Sequence, residues 1–304
     1  VGSYDQDAQK FFPMFHDRIS HTPQNKGPEI VAKLDAGSVI APSLLRDGKN
    51  RVISIHNVRD GIVPQERSRR KWSQLMTLPR VYEWTEDRNP PVPGKATMRI
   101  FVPEEVELLR TSSVSHKNIA LPANENIPVD ARGTSLEISA EIDLKDSKQV
   151  GVKVFASPDG QEETVVRYFP ATHQLVIDTS NSTTWPQANQ RTPEMAILRL
   201  KEGEPLRLRI FIDQSIVEVF ANDLVCLTTR VYPGRDDAQG ISFFSRGADT
   251  ELKSAAVYQM KNIWEHCKLL EPVNDPQPAP PPPFVPVSPQ SPSERGYPFA
   301  PAKK

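Results

Sequence analysis

The chain has 304 residues and a formal net charge of -1, enough for about two domains and too little charge to favour a nucleic-acid or membrane-surface partner. No apolar run approaches the roughly 20 residues of a membrane-spanning helix. Cys226 and Cys267 make no disulfide framework, and no Cys/His group has zinc-ligand spacing, so neither a metal nor another cofactor is expected.

Val1-Gly2-Ser3-Tyr4-Asp5 shows neither the basic nor the apolar region of a signal peptide. The first 85 residues contain a few strand-like runs, such as Arg51-Val52-Ile53-Ser54-Ile55, and no sign of a complete core. A small sheet alone leaves a face exposed, so this part reads as a piece of something larger. The basic run Arg67-Ser68-Arg69-Arg70-Lys71, beside Trp72, reads as a solvated loop, because no second basic patch accompanies it. Arg88-Asn89-Pro90-Pro91-Val92-Pro93-Gly94 is a stiff connector, which places a linker at 86–97.

From 98 to 268 the chain alternates with period 2. Leu136, Ile138, Ala140 and Ile142 interleave with Glu137, Ser139, Glu141 and Asp143, and Val150, Val152 and Val154 repeat the pattern. Leu206, Leu208, Ile210 and Ile212 point one way; Arg207, Arg209, Phe211 and Asp213 point the other. Asp159-Gly160, Asp213-Gln214 and Asn222-Asp223 supply turns. Short strands with hardly any helical periodicity between them predict an antiparallel sandwich or barrel. Leu208, Ile210, Val217, Val219 and Leu227 are its core candidates, and Cys226 is expected as a buried free thiol. Asn181-Ser182-Thr183 is a glycosylation sequon expected on a surface loop. Twelve of the thirty prolines fall in the last 34 residues, which predicts an extended Pro-rich tail at 269–304.

Several stretches resemble the invertase, levanase and inulinase family, glycoside hydrolase family 32. The run from Leu206 to Phe220, continued by Cys226-Leu227-Thr228-Thr229-Arg230-Val231-Tyr232-Pro233, is similar to that family's sandwich hairpin, and Gly151 to Tyr168 to its preceding strands. Leu34-Asp35-Ala36-Gly37-Ser38, Ala41-Pro42, Trp72 and Leu78-Pro79-Arg80 resemble the fifth blade of its propeller. The resemblance implies an all-β chain: the last blade of a five-bladed β-propeller at 1–85, the linker, a β-sandwich at 98–268 and the tail. It also implies extracellular or secreted action on fructose-containing oligo- or polysaccharides, with retention. One carboxylate would trap the fructosyl group and a protonated one would serve the leaving oxygen.

In that family the catalytic carboxylates belong to earlier blades, so none is expected in this chain. They are expected on an N-terminal catalytic polypeptide or segment. Asn274-Asp275-Pro276 imitates the nucleophile motif, but a tail cannot hold a nucleophile to the roughly 0.5 Å a site needs. Arg88-Asn89-Pro90 and Glu265-His266-Cys267 imitate the other two motifs and are rejected: the first carries an amide where charge is needed, and the second follows the last strand. The resemblance assigns two substrate-binding candidates, Asp35 and Ser38. Asp35 matches an acidic residue that orients the sugar at the funnel mouth, or it caps a turn beside Gly37. Ser38 stands where some sucrose-cleaving members carry Lys, which weakens any assignment to sucrose. His56 reads as a structural or loop histidine. Two other readings stay open: a non-catalytic carbohydrate-binding or regulatory module, and an interaction protein whose tail docks partners.

Overall fold

The alternating runs are strands in the structure, a computed structural model that describes residues 2–5, 7–13, 35–63, 75–85, 97–188 and 192–263. Among these residues the chain is all-β, with two short 3-10 helices at Glu104–Leu109 and Pro170–Thr172. The basic run at 67–72, the linker at 86–96 and everything after Ile263 lie outside the described residues, as does the Pro-rich tail.

β1 (Gly2–Asp5) and β2 (Lys10–Pro13) form a hairpin. β3 (Asp35–Gly37), β4 (Val39–Arg46), β5 (Val52–Val58), β6 (Leu75–Met76), β7 (Arg80–Thr85) and β8 (Thr97–Phe101) follow. Four of them make a sheet in the order β4-β5-β7-β8, with β6 paired to β5.

The rest of the chain builds two larger sheets. Its strands are β9 (Arg110–Leu121), β10 (Asn126–Pro128), β11 (Ser135–Ile142), β12 (Gln149–Ala156), β13 (Thr164–Phe169) and β14 (Gln174–Asp178). After them come β15 (Glu194–Ile197), β16 (Leu206–Asp213), β17 (Ile216–Ala221), β18 (Val225–Arg230), β19 (Gly240–Arg246) and β20 (Thr250–Met260). One sheet runs β10-β19-β12-β13-β14-β15; the other runs β3-β18-β17-β16-β11-β20-β9. Inward residues of both, such as Val152, Val166, Ile177 and Phe243 from the first and Leu136, Ile210, Val219 and Leu252 from the second, share one buried core. This is the layering of a β-sandwich. All five core candidates are buried in it, and Cys226 is a buried free thiol.

Turn chemistry sets the register. Asn222 and Asp223 both take positive φ, 49° and 55°, in the tight turn that joins β17 to β18. Asn and Asp tolerate that left-handed pair better than other side chains. Gln214 (φ 54°) turns β16 into β17, and Gly160 (φ 71°) lies between β12 and β13.

The structure departs from the sequence reading in two places. β8, expected as the first strand of the sandwich, pairs with β7 in the smaller sheet, so the proposed linker joins neighbouring strands of one sheet. β3, expected within the blade, pairs in parallel with β18 of the sandwich, Cys226 opposite Asp35. The cause is a second buried layer. Phe211 and Phe220 point away from the main core, meet edge-to-face at 6.1 Å, and pack with Ile100, Val102, Val106 and Cys226. The polar-looking face of β16 and β17 is therefore covered.

Ile210→Ala is expected to cost roughly 2–5 kcal/mol in urea unfolding, because the cavity opens at the centre of the main core. A fragment starting at Lys95 loses β3 and the strands before β8. It is expected to melt below the full chain in circular dichroism.

Candidate functional site

Asp35 is the sequence-derived candidate that the fold places most tightly. Gly37 lets β3 approach β18: its φ is +101°, and a Cβ there would lie 2.0 Å from the Thr228 carbonyl oxygen. The close approach continues where the Ser38 amide donates to that same carbonyl at 2.9 Å. Asp35 is thereby held under β7, where Arg80 Nε donates to its Oδ2 at 2.7 Å. It caps no turn; it is a strand residue in a buried ion pair.

Arg80 is the centre of this group. Its side chain is 0% exposed and that of Glu218 2%, and they pair at 2.8 Å. The guanidinium also donates to the Leu78 carbonyl at 2.6 Å, to Thr228 Oγ1 at 2.7 Å and toward Cys226 Sγ at 3.6 Å. Glu218 accepts a further bond from the Leu78 amide at 2.8 Å. Burial disfavours the Arg80 charge, but the carboxylates of Glu218 and Asp35 beside it oppose that and the group stays charged. Burial raises the pKa of Glu218 despite Arg80, and pushes the Cys226 thiol well up.

His56 lies beside Asp35, its Nε2 at 3.4 Å from Oδ2. The same Nε2 is 2.9 Å from Ser54 Oγ, and Ser54 Oγ also donates to the Tyr82 hydroxyl at 3.0 Å. A Ser-His-Asp relay needs the serine and the acid on opposite ring nitrogens. Here both meet one nitrogen, so the group cannot activate Ser54. Burial lowers the His56 pKa, reinforced by Arg80 and opposed by Asp35, which leaves a neutral imidazole near pH 7.

Ser38 is spent elsewhere: its hydroxyl donates to Glu194 Oε1 at 3.0 Å. Asp35 and Ser38 thus lie near each other along the chain but engage different partners. Among the described residues no group of three or more His, Cys, Asp or Glu side chains is arranged to hold a metal ion. None of their helices is long and apolar enough to cross a membrane. The sequence reading missed Glu218 and a second buried pair, Arg230 with Asp60 at 2.7 Å. Each joins the two parts of the chain that the reading had separated. Replacing Arg80 with Ala leaves Glu218 buried without its cation. The expected loss is about 3–5 kcal/mol of unfolding free energy by denaturant titration.

The comparisons agree with this architecture. A family model described as Glycosyl hydrolases family 32 C terminal matches residues 105–259. The levanase of Bacillus subtilis (strain 168) is 30% identical over 167 residues, covering 53% of this chain and 24% of the levanase. Beta-fructofuranosidase 1 of Zea mays is 28% identical over 202 residues, covering 53% of this chain and 29% of the maize protein. Among solved structures, fructan 1-exohydrolase IIa from Cichorium intybus superimposes with a TM-score of 0.71 at 20% identity, over 86% of this chain and 54% of that one. The exo-inulinase of Aspergillus awamori gives 0.66 at 22% identity, over 87% and 50%. The chain thus spans a quarter to just over half the length of these relatives. Two sheets around one core, the match at 105–259 and these likenesses lead to one assignment: the chain belongs to glycoside hydrolase family 32 and carries its C-terminal domain.

Proposed function

We propose that this chain is the C-terminal part of a retaining β-fructofuranosidase or fructan-active enzyme whose catalytic carboxylates lie on a further N-terminal segment. The observation that carries the reading is the uncovered strand β4. Among the described residues it is the outermost strand of its sheet; residues 41–46 are exposed, and Leu44 and Leu45 keep 63% and 55% of their surface in water. Consecutive apolar residues exposed on both faces of an edge strand suit a surface that a neighbour covers. In this reading the sheet β4-β5-β7-β8 is the last blade of a five-bladed propeller, and the missing blades close the ring against it.

Fructose-containing oligo- or polysaccharides are the proposed substrates. A levanase, a beta-fructofuranosidase and a fructan 1-exohydrolase solved in complex with 1-kestose stand among the similar proteins. One carboxylate of the N-terminal segment would form the fructosyl-enzyme bond and a second, protonated one would serve the departing oxygen. In the same reading Asp35 and Ser38 would lie beside the funnel that the closed propeller forms. Arg80 holds one oxygen of Asp35, so its contribution would be to orient the blade's sugar-facing surface. Secretion belongs to the same proposal; Asn181 of the sequon is exposed, as attachment of a glycan requires.

The chain alone is expected to release no fructose from sucrose, inulin or levan. Adding the N-terminal segment of its own longer protein is expected to restore release with retention. Robust release by the chain alone would refute the proposed location of the carboxylates. Specific sugar binding without any restored hydrolysis would favour a carbohydrate-binding module. In the assembled enzyme, Asp35→Asn is expected to raise KM for the fructosyl donor, read from initial rates. An unchanged KM would remove Asp35 from the substrate side.

A further inference from the structure

The fold treats the two carboxylate oxygens of Asp35 differently. Both fixed groups beside the carboxylate meet one oxygen: Arg80 Nε donates to Oδ2 at 2.7 Å, and His56 Nε2 lies 3.4 Å from it. Oδ1 is buried and receives no hydrogen bond from the described residues. A carboxylate oxygen in that state is costly until a donor arrives.

Arg80 is the natural source of such a donor, but its remaining nitrogens are engaged elsewhere. The side-on grip of a guanidinium on a carboxylate uses Nε together with the terminal nitrogen beside it, one on each oxygen. Here that nitrogen, Nη2, donates to Thr228 Oγ1 at 2.7 Å and toward Cys226 Sγ at 3.6 Å. Nη1 is taken by the Leu78 carbonyl at 2.6 Å and by Glu218 Oε2 at 2.8 Å. Thr228 is free to accept because its own proton has an outlet: its hydroxyl donates to Glu218 Oε2 at 3.5 Å. Glu218 is held in turn by the Leu78 amide, which donates to Oε1 at 2.8 Å.

We propose that Thr228 and Glu218 are positioning residues supplied by the sandwich: they occupy the terminal nitrogens of Arg80, restrict it to one oxygen of Asp35, and so keep Oδ1 as the acceptor for a hydroxyl group of the fructosyl substrate. This role rests on the reading of Asp35 as a residue beside the funnel. Neither Thr228 nor Glu218 would touch the sugar; both act through Arg80 and Asp35. Removing the Thr228 acceptor frees Nη2 to close on Oδ1. An oxygen already gripped by a guanidinium is a poor acceptor for a sugar hydroxyl.

Thr228→Val removes the acceptor while nearly keeping the shape, and Thr228→Ser restores it. A crystal structure of the chain carrying Thr228→Val is expected to show Nη2 within hydrogen-bond distance of Asp35 Oδ1. In the assembled enzyme, Thr228→Val is expected to raise KM for sucrose and inulin by about tenfold with kcat little changed, the pattern of lost binding energy. Thr228→Ser is expected to return KM to near the wild-type value. Arg80 still on Oδ2 alone in the variant's structure would overturn the proposal. So would an unchanged KM in Thr228→Val where Asp35→Asn raises it, and that result would leave the reading of the funnel standing. A KM that Asp35→Asn leaves unchanged would remove both. A loss of kcat that Thr228→Ser does not rescue would mark Thr228 as structural only and end its positioning role. Should Thr228→Val fail to fold, Glu218→Gln takes its place, because it removes the charge that holds Nη1 and the Thr228 hydroxyl. The same rise in KM with kcat retained then upholds the proposal, and an unchanged KM overturns it.

Discussion

Arg80 is the constraint on which the rest of the structure depends. A guanidinium has five donors and no way to shed its charge, so burying one obliges the surrounding chain to supply acceptors from several directions. Here they come from β3, β17, β18 and the loop before β7. Those elements belong to both halves of the molecule. Replacing the group with an apolar residue would remove a reason for the halves to share one relative placement. Apolar packing of Phe211 and Phe220 with Ile100 and Val102 supplies adhesion as well, but such contacts are tolerant of sliding. The fork of Arg80 is not tolerant. It fixes the register of the small sheet on the sandwich.

The sandwich was legible because its inner faces obey period 2 and its turns carry their own chemistry. Leu136 through Ile142 alternate throughout and Leu206 through Ile212 do so except at Phe211, and they pair in register across β11 and β16. Asn222-Asp223 announces a tight turn before any partner strand is known. What the pattern hides is that the outer face of a strand can also be buried. Glu218 and Phe220 fall on the side of β17 opposite the core candidates Val217 and Val219, yet β17 and β18 are buried on both faces. A local window cannot see the third layer, because β7 and β8 lie more than a hundred residues upstream.

The same distance hid the candidate site. Leu78-Pro79-Arg80 was noticed as a motif, but nothing near it in the chain names Glu218 as its partner. Asp35 was singled out for its likeness to a sugar-orienting residue, and its ion pair with Arg80 depends on β3 leaving the small sheet for β18. That departure rests on Gly37, the one residue of β3 whose missing Cβ admits the Thr228 carbonyl. Ser38 was flagged by position alone, and its partner Glu194 lies on β15 of the opposite sheet. Long-range pairing, rather than any unusual residue type, separates what was read from what was not.

β3 also has a consequence for how the molecule comes into being. Its hydrogen-bonding partner β18 is made roughly 190 residues later, so on a ribosome β3 emerges long before the strand it needs. Closing a loop of that size is entropically slow compared with the hairpins around it. The sandwich can nucleate from its local hairpins β16-β17 and β17-β18, and the upstream strands must then find a surface already formed. Chain synthesis therefore imposes an order on this fold: the last-made half is the template, and the first-made half is the guest.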